Sequence, residues 1–220
     1  VSAAAAADLI ARGVPFVATL VEAGFSQARL CVGADTVRGT VFLADGLDRR
    51  PVEAPTASLA QRFAPFGPRC LALVPAGHGA KFDGLELPDA DEREAVYAVQ
   101  KPLLTNDRAA AAAALARAQE RFPGHKLTAF AELALARHDA HPVKLLDAYD
   151  RLLAAHPHEP TWVLGKAAVL RDLNRMPDRA DLLEAEAAAP TAEPLLMQSL
   201  AQTLLPDPGR QAEAGWLLRR

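Results

Sequence analysis

The stretch SQARLCVGADTVRGTVFLADG, residues 26–46, decides the reading of the N-terminal region. Ala28–Ala34 is a short apolar run, and DTVRG after it is a polar connection. Thr40–Ala44 is a second run, β-branched and aromatic, closed by Asp45-Gly46. Short apolar runs bounded by turn residues read as strands. Working outward, Val14–Val21 is a strand of the same kind, with a turn at Glu22–Phe25. Residues 2–12 favour helix through alanine, and Gly13 with Pro15 stops it. On the other side, Leu47–Pro55 reads as a polar loop holding two prolines. Ala57–Phe66 reads as an amphipathic helix with Leu59, Phe63 and Phe66 on one face. Cys70–Val74 is a further strand, and the Gly-, Pro- and Asp-rich run after Val74 reads as a linker.

From Asp89 the period of the pattern changes. Helical spacing runs to the C-terminus, broken by turn signals near 105, 123, 139–142, 157–160, 176, 190 and 206–209. Eight helices fit between these breaks. The turn prolines Pro123, Pro157 and Pro190 are 34 and 33 residues apart. Tyr149 precedes Pro157 by eight residues, and Trp162-Val-Leu-Gly165 opens the next unit. A period near 34 residues in an all-helical region resembles tetratricopeptide repeats, in which each helix pair buries its apolar face on its neighbours.

Composition excludes several classes. The net charge is −3 and half the residues are hydrophobic. Residues 1–88 carry eight basic and eight acidic side chains, against sixteen and nineteen in 89–220. Neither region has the basic excess that phosphate neutralisation requires, so no nucleic-acid partner is expected. The apolar run Gly13–Val21 is too short to cross a bilayer, and the alanine-rich start has no basic n-region. No membrane insertion and no signal peptide are expected. Cys31 and Cys70 each sit inside an apolar run and read as buried free thiols of a cytoplasmic protein.

The ordered set of elements over Ile10–Pro75 resembles the C-terminal half of the papain-like, double-glycine leader cysteine peptidases. The resemblance rests on five segments. They are Gly13–Val17 as first strand, Ser26-Gln27 entering the second, Val32–Asp35 closing it, Phe42–Asp45 as third, and Phe63–Gly67 with RCLALVP after it. In that family a histidine opens the second strand and an acid closes the third, orienting the imidazole beside a thiolate nucleophile. The resemblance implies that Asp45 is the acid and that Gln27 stands in the histidine's place. A carboxamide takes no proton at neutral pH and is no general base. The nucleophile is implied to lie upstream of Val1, and Cys31 lies on the wrong side of the histidine position to replace it.

Other sites are weaker. Gly24-Phe-Ser26-Gln-Ala28 approaches a serine nucleophile elbow, with Asp45 and His78 following in order, but an elbow needs a strand before the serine and a helix after it. His138 and His141 are three residues apart across a turn with no completing ligand, so no metal is expected. The histidines near turns read as solvated. Gly165-Lys166 lacks the rest of a phosphate loop, and no cofactor is expected.

The expected fold is α+β followed by all-α. A papain-like antiparallel sheet domain spans 1–76, a linker 77–88, and a tetratricopeptide-like solenoid 89–220. The expected function is a protein-interaction module: the repeats bind a protein or peptide, and the sheet domain is non-catalytic, with Gln27 and Asp45 as degenerate site positions. The alternative is part of a bacterial cysteine peptidase.

Overall fold

The computed structural model describes residues 2–22, 25–45, 50–67, 69–87, 89–189 and 192–219. Gly24, Gly46 and Pro190, each used in the sequence reading, and Pro88 at the end of the expected linker lie outside the described residues. The chain divides into two compact units, Val1–Pro88 and Asp89–Arg220.

In the first unit, helix α1 (Ala3–Ala11) starts where Ser2 Oγ accepts the Ala5 amide at 3.1 Å. It ends at Gly13, whose φ of +69° lets the Val14 amide reach back to Leu9 O at 2.8 Å. Strands β1 (Phe16–Glu22), β2 (Phe25–Asp35), β3 (Thr40–Ala44), β4 (Val52–Pro55) and β5 (Arg69–Ala72) form one antiparallel sheet in the order β4-β3-β2-β1-β5. Strand alternation sends Phe16, Ala18, Leu20, Cys31, Val41 and Leu43 to one face. There they pack with Ala6 and Leu9 of α1, Val14 and Phe63. Each large side chain so buried contributes about 1.5–3 kcal/mol before ordering entropy is counted. The other face carries Leu30, Val32 and Leu71, all exposed.

Two expectations need correction. Leu47–Pro55 is not loop throughout, because Val52–Pro55 pairs with Thr40–Leu43 as β4. Its prolines and exposed side chains hide it from periodicity, and both are permitted because it is an edge strand. The helix α2 (Thr56–Arg62) is shorter than expected and stops before Phe63, whose ring turns into the core.

The run expected as a linker belongs to the first unit as far as it is described. Gly79–Phe82 forms a 3-10 turn. Arg12 Nη1 donates to Lys81 O at 3.0 Å and Asp83 O at 2.7 Å, while Lys81 Nζ donates to Arg12 O at 2.8 Å. These reciprocal bonds fasten the turn to the end of α1, and Phe82 and Leu85 pack against the core.

The second unit contains eight helices among the described residues: α3 (Ala90–Leu104), α4 (Arg108–Arg121), α5 (Lys126–His138), α6 (Pro142–Ala155), α7 (Pro160–Asp172), α8 (Met176–Ala187), α9 (Pro194–Leu204) and α10 (Gln211–Leu217). They fall between the turn signals read from sequence. The starts of α4, α6 and α8 are 34 residues apart, as are those of α5, α7 and α9. The junctions repeat with the same step. Asn106, Ala140 and Asn174 take left-handed φ values of 58°, 48° and 56°. After each, an amide returns to the preceding helix: Asp107 to Pro102 O at 2.9 Å, His141 to Ala136 O at 3.0 Å, Arg175 to Leu170 O at 2.8 Å. Gly124 and His158 make a second left-handed pair, at 71° and 63°.

Burial follows the same register. Ala129, Val163 and Met197 are equivalent and buried, as are Leu133, Ala167 and Ala201, and Ala136, Leu170 and Leu204. One core joins α7 to α10 through Leu183, Leu196 and Leu200, and another joins α3, α4 and α5 through Val99, Ala111 and Ala131. The alanines of α4 let it approach α3 and α5 closely, since a methyl adds little width to a helix.

Candidate functional site

In β2, Gln27, Arg29 and Cys31 alternate onto the core-facing side of the sheet, opposite Leu20, Ala18 and Phe16 of β1. Asp45 follows the last residue of β3, next to β2. The structure brings Gln27 and Asp45 together through Arg29, a residue the sequence reading missed. Arg29 Nε donates to Gln27 Oε1 at 2.8 Å, and Nη1 pairs with Asp45 Oδ2. Arg29 and Asp45 are largely withdrawn from water, with side chains 26% and 18% exposed. A guanidinium donates and has no acceptor, and a carboxamide is no base, so within the trio only the Asp45 carboxylate can take a proton, and Arg29 holds it in an ion pair. The spacing of Gln27 and Arg29, two apart on a strand, was the available signal.

Cys31, two residues beyond Arg29 on β2, is fully buried, and its Sγ–H faces Gly33 O at 3.4 Å. Burial pushes its thiol pKa up, the Gly33 carbonyl opposes that, and Cys70 adds to the rise. A raised thiol is a poor nucleophile. Cys70 is half-buried on β5, and neither cysteine is in a disulfide. Ser26 lies within β2, not at a strand-to-helix elbow.

The histidines near turns do more than meet solvent. His125 Nδ1 accepts the Leu127 amide at 3.3 Å, and His141 Nδ1 accepts the Lys144 amide at 3.4 Å, so both cap helices. His138 Nε2 bonds Asn106 Oδ1 at 2.8 Å, and His158 faces Glu186 at 3.0 Å. Among the described residues no three His, Cys, Asp or Glu side chains gather as metal ligands.

The helical unit holds an open groove of about 590 Å3 between the end of α4, the start of α5 and the end of α6. Ala129, Ala154 and Ala155 line it with methyls, and Pro123 and Gly124 close one side. Glu132 is fixed in it by Gln119 Nε2 at 2.7 Å and by Arg151 Nη1. Lys126 and Arg151 are the cationic lining residues. Sequence periodicity could not find this site, because it needs three helices brought together.

No protein family matches this sequence, and no curated protein matches it either. Among the described residues no helix is long and apolar enough to cross a membrane.

Proposed function

We propose that this chain is a protein-interaction module. The helices from α3 to α10 form a tetratricopeptide-like solenoid that binds a protein or peptide, and the sheet unit is a non-catalytic, peptidase-like scaffold. The observation that carries the reading is the 34-residue recurrence of helix starts and left-handed junctions. Helices that touch near neighbours along the chain leave extended faces free for partners, as stacked repeats do. The Gln27–Arg29–Asp45 arrangement supports the non-catalytic part, since an arginine fills the space between the two site positions. The thiols of Cys31 and Cys70, neither in a disulfide, support a cytoplasmic location.

The test uses the whole purified chain. Partners are captured, purified and titrated back onto it, and the chain is incubated with fluorogenic peptides in reducing buffer. Saturable binding sensitive to substitutions in α3–α10, with no thiol-dependent hydrolysis, is the expected result. Hydrolysis that Cys31→Ser or Cys70→Ser abolishes would overturn the reading.

A further inference from the structure

The groove between α4, α5 and α6 has a chemistry that selects its occupant. Its volume, about 590 Å3, lies in the range of preformed ligand sites. The alanine methyls leave room for a small apolar side chain. Around that floor the charge is unbalanced: Lys126 and Arg151 stand against one carboxylate, Glu132. Glu132 is already committed to Gln119 and to Nη1 of Arg151, and is only 14% exposed. Arg151 is 60% exposed and meets Glu132 through Nη1 alone, which leaves Nε and Nη2 pointing away from that pair. The N-terminal end of α5 opens at the same place and adds positive potential.

We propose that this groove binds a short acidic peptide segment, seating a small apolar side chain on Ala129, Ala154 and Ala155 and an adjacent carboxylate against Lys126 and Arg151. The proposal rests on the interaction-module reading and names the partner's chemistry. A guanidinium with free N–H groups meets a carboxylate in charge-assisted hydrogen bonds, and the half-enclosed groove shields them from full hydration. Nucleic acid fits less well, because the chain is acidic overall and two cations neutralise few phosphates.

The probe is a displayed library of short random peptides, selected on the whole chain and counter-selected on bare support. Enriched peptides are expected to place Asp or Glu beside Ala or Val. A synthetic peptide of the consensus should lose about tenfold or more in affinity when its acid becomes the amide. The same loss is expected with Lys126→Glu and with Ala154→Glu. Ala154 is exposed, so its replacement adds a repelling charge to the groove without disturbing the core. Binding should also weaken as salt is raised. A consensus without acid, or acidic binding unchanged by both substitutions, overturns the proposal. Acidic binding that maps elsewhere on the helical unit overturns the groove and leaves the interaction reading intact. Absence of any enrichment overturns the acidic-peptide groove, while the partner titration above decides the broader reading independently.

Discussion

The ring of Tyr149 in α6 lies against the bare α-carbon of Gly165 in α7, in the space that a side chain on residue 165 would occupy. Trp162 packs near the same ring, 6.5 Å from its centroid, and meets Phe130 edge-on at 5.1 Å. Arg137 Nη2 donates to the phenol oxygen at 2.6 Å, so the ring is held at both its face and its tip. Glycine at 165 therefore sets how closely α6 and α7 approach.

Gly165→Ala is expected to destabilise the chain by about 1–3 kcal/mol through overpacking, despite alanine's better helix propensity. Urea unfolding measures it. The cost should shrink in a Tyr149→Leu background, and a cost that persists there would locate the strain elsewhere.

Arg179 is 6% exposed, yet among the described residues it meets only the hydroxyls of Thr203 and Ser199, the latter at 3.0 Å. Burial pushes its pKa down, and nearby Arg171 adds to that. One and two periods earlier the same position holds Leu145 and Ala111. Replacing an uncompensated buried charge by a hydrophobe is neutral or favourable, so Arg179→Leu should leave stability unchanged or raise it by about 1–2 kcal/mol. A loss of stability in denaturant titration would mean that the charge has a partner.

Ala140 adopts φ of +48° where Asn106 and Asn174 stand at equivalent junctions. A β-carbon is unfavourable there, and glycine or asparagine is not. Ala140→Gly should raise the midpoint of thermal unfolding, for a gain of about 1 kcal/mol. The same substitution at the helical Ala148 should destabilise, which makes it the control.

Burial pushes the His156 pKa below its usual 6.5, and Lys126 nearby adds to the effect. The unfolded chain then binds a proton more readily than the folded one. This residue's share of stability is full above pH 6.5, falls as pH drops below that value, and levels off below the folded pKa. His156→Gln should flatten that part of the stability profile, measured by urea titration across mildly acidic pH.

Arg29→Leu removes the donor that joins Gln27 to Asp45. Leaving a partly buried carboxylate without this pair should cost about 1–3 kcal/mol. Gln27→His introduces an imidazole beside the guanidinium, and it should produce no thiol-dependent cleavage in a fluorogenic assay. Cleavage by that variant would identify a working site one substitution away.

The helical unit was legible because its breaks are local. Asn106 and Asp107, Pro123 and Gly124, Met176 and Pro177 each announce a turn within their own few residues. The strands around Phe16, Cys31 and Leu43 were legible because hydrophobic runs of that length are stable only when paired and buried. Strand β4 was not, since Val52–Pro55 is a strand by virtue of its neighbour and not of its own pattern. Arg29 escaped notice because its meaning depends on Asp45, sixteen positions away on another strand. The groove escaped for the same reason, with Glu132 drawing its bonds from Gln119 and Arg151 on the helices to either side.

The 34-residue step in the junctions also behaves as a reading frame. Excising residues 126–159 would bring Pro160 to the place of Lys126, after a left-handed turn of the same geometry. Helix phase and buried face would both carry through the splice. A deletion within the repeated helices that is not a whole number of such steps would put the later helices out of phase with the core before them. The helical unit is thus free to lengthen or shorten in evolution by whole steps, and closed to fractions of one.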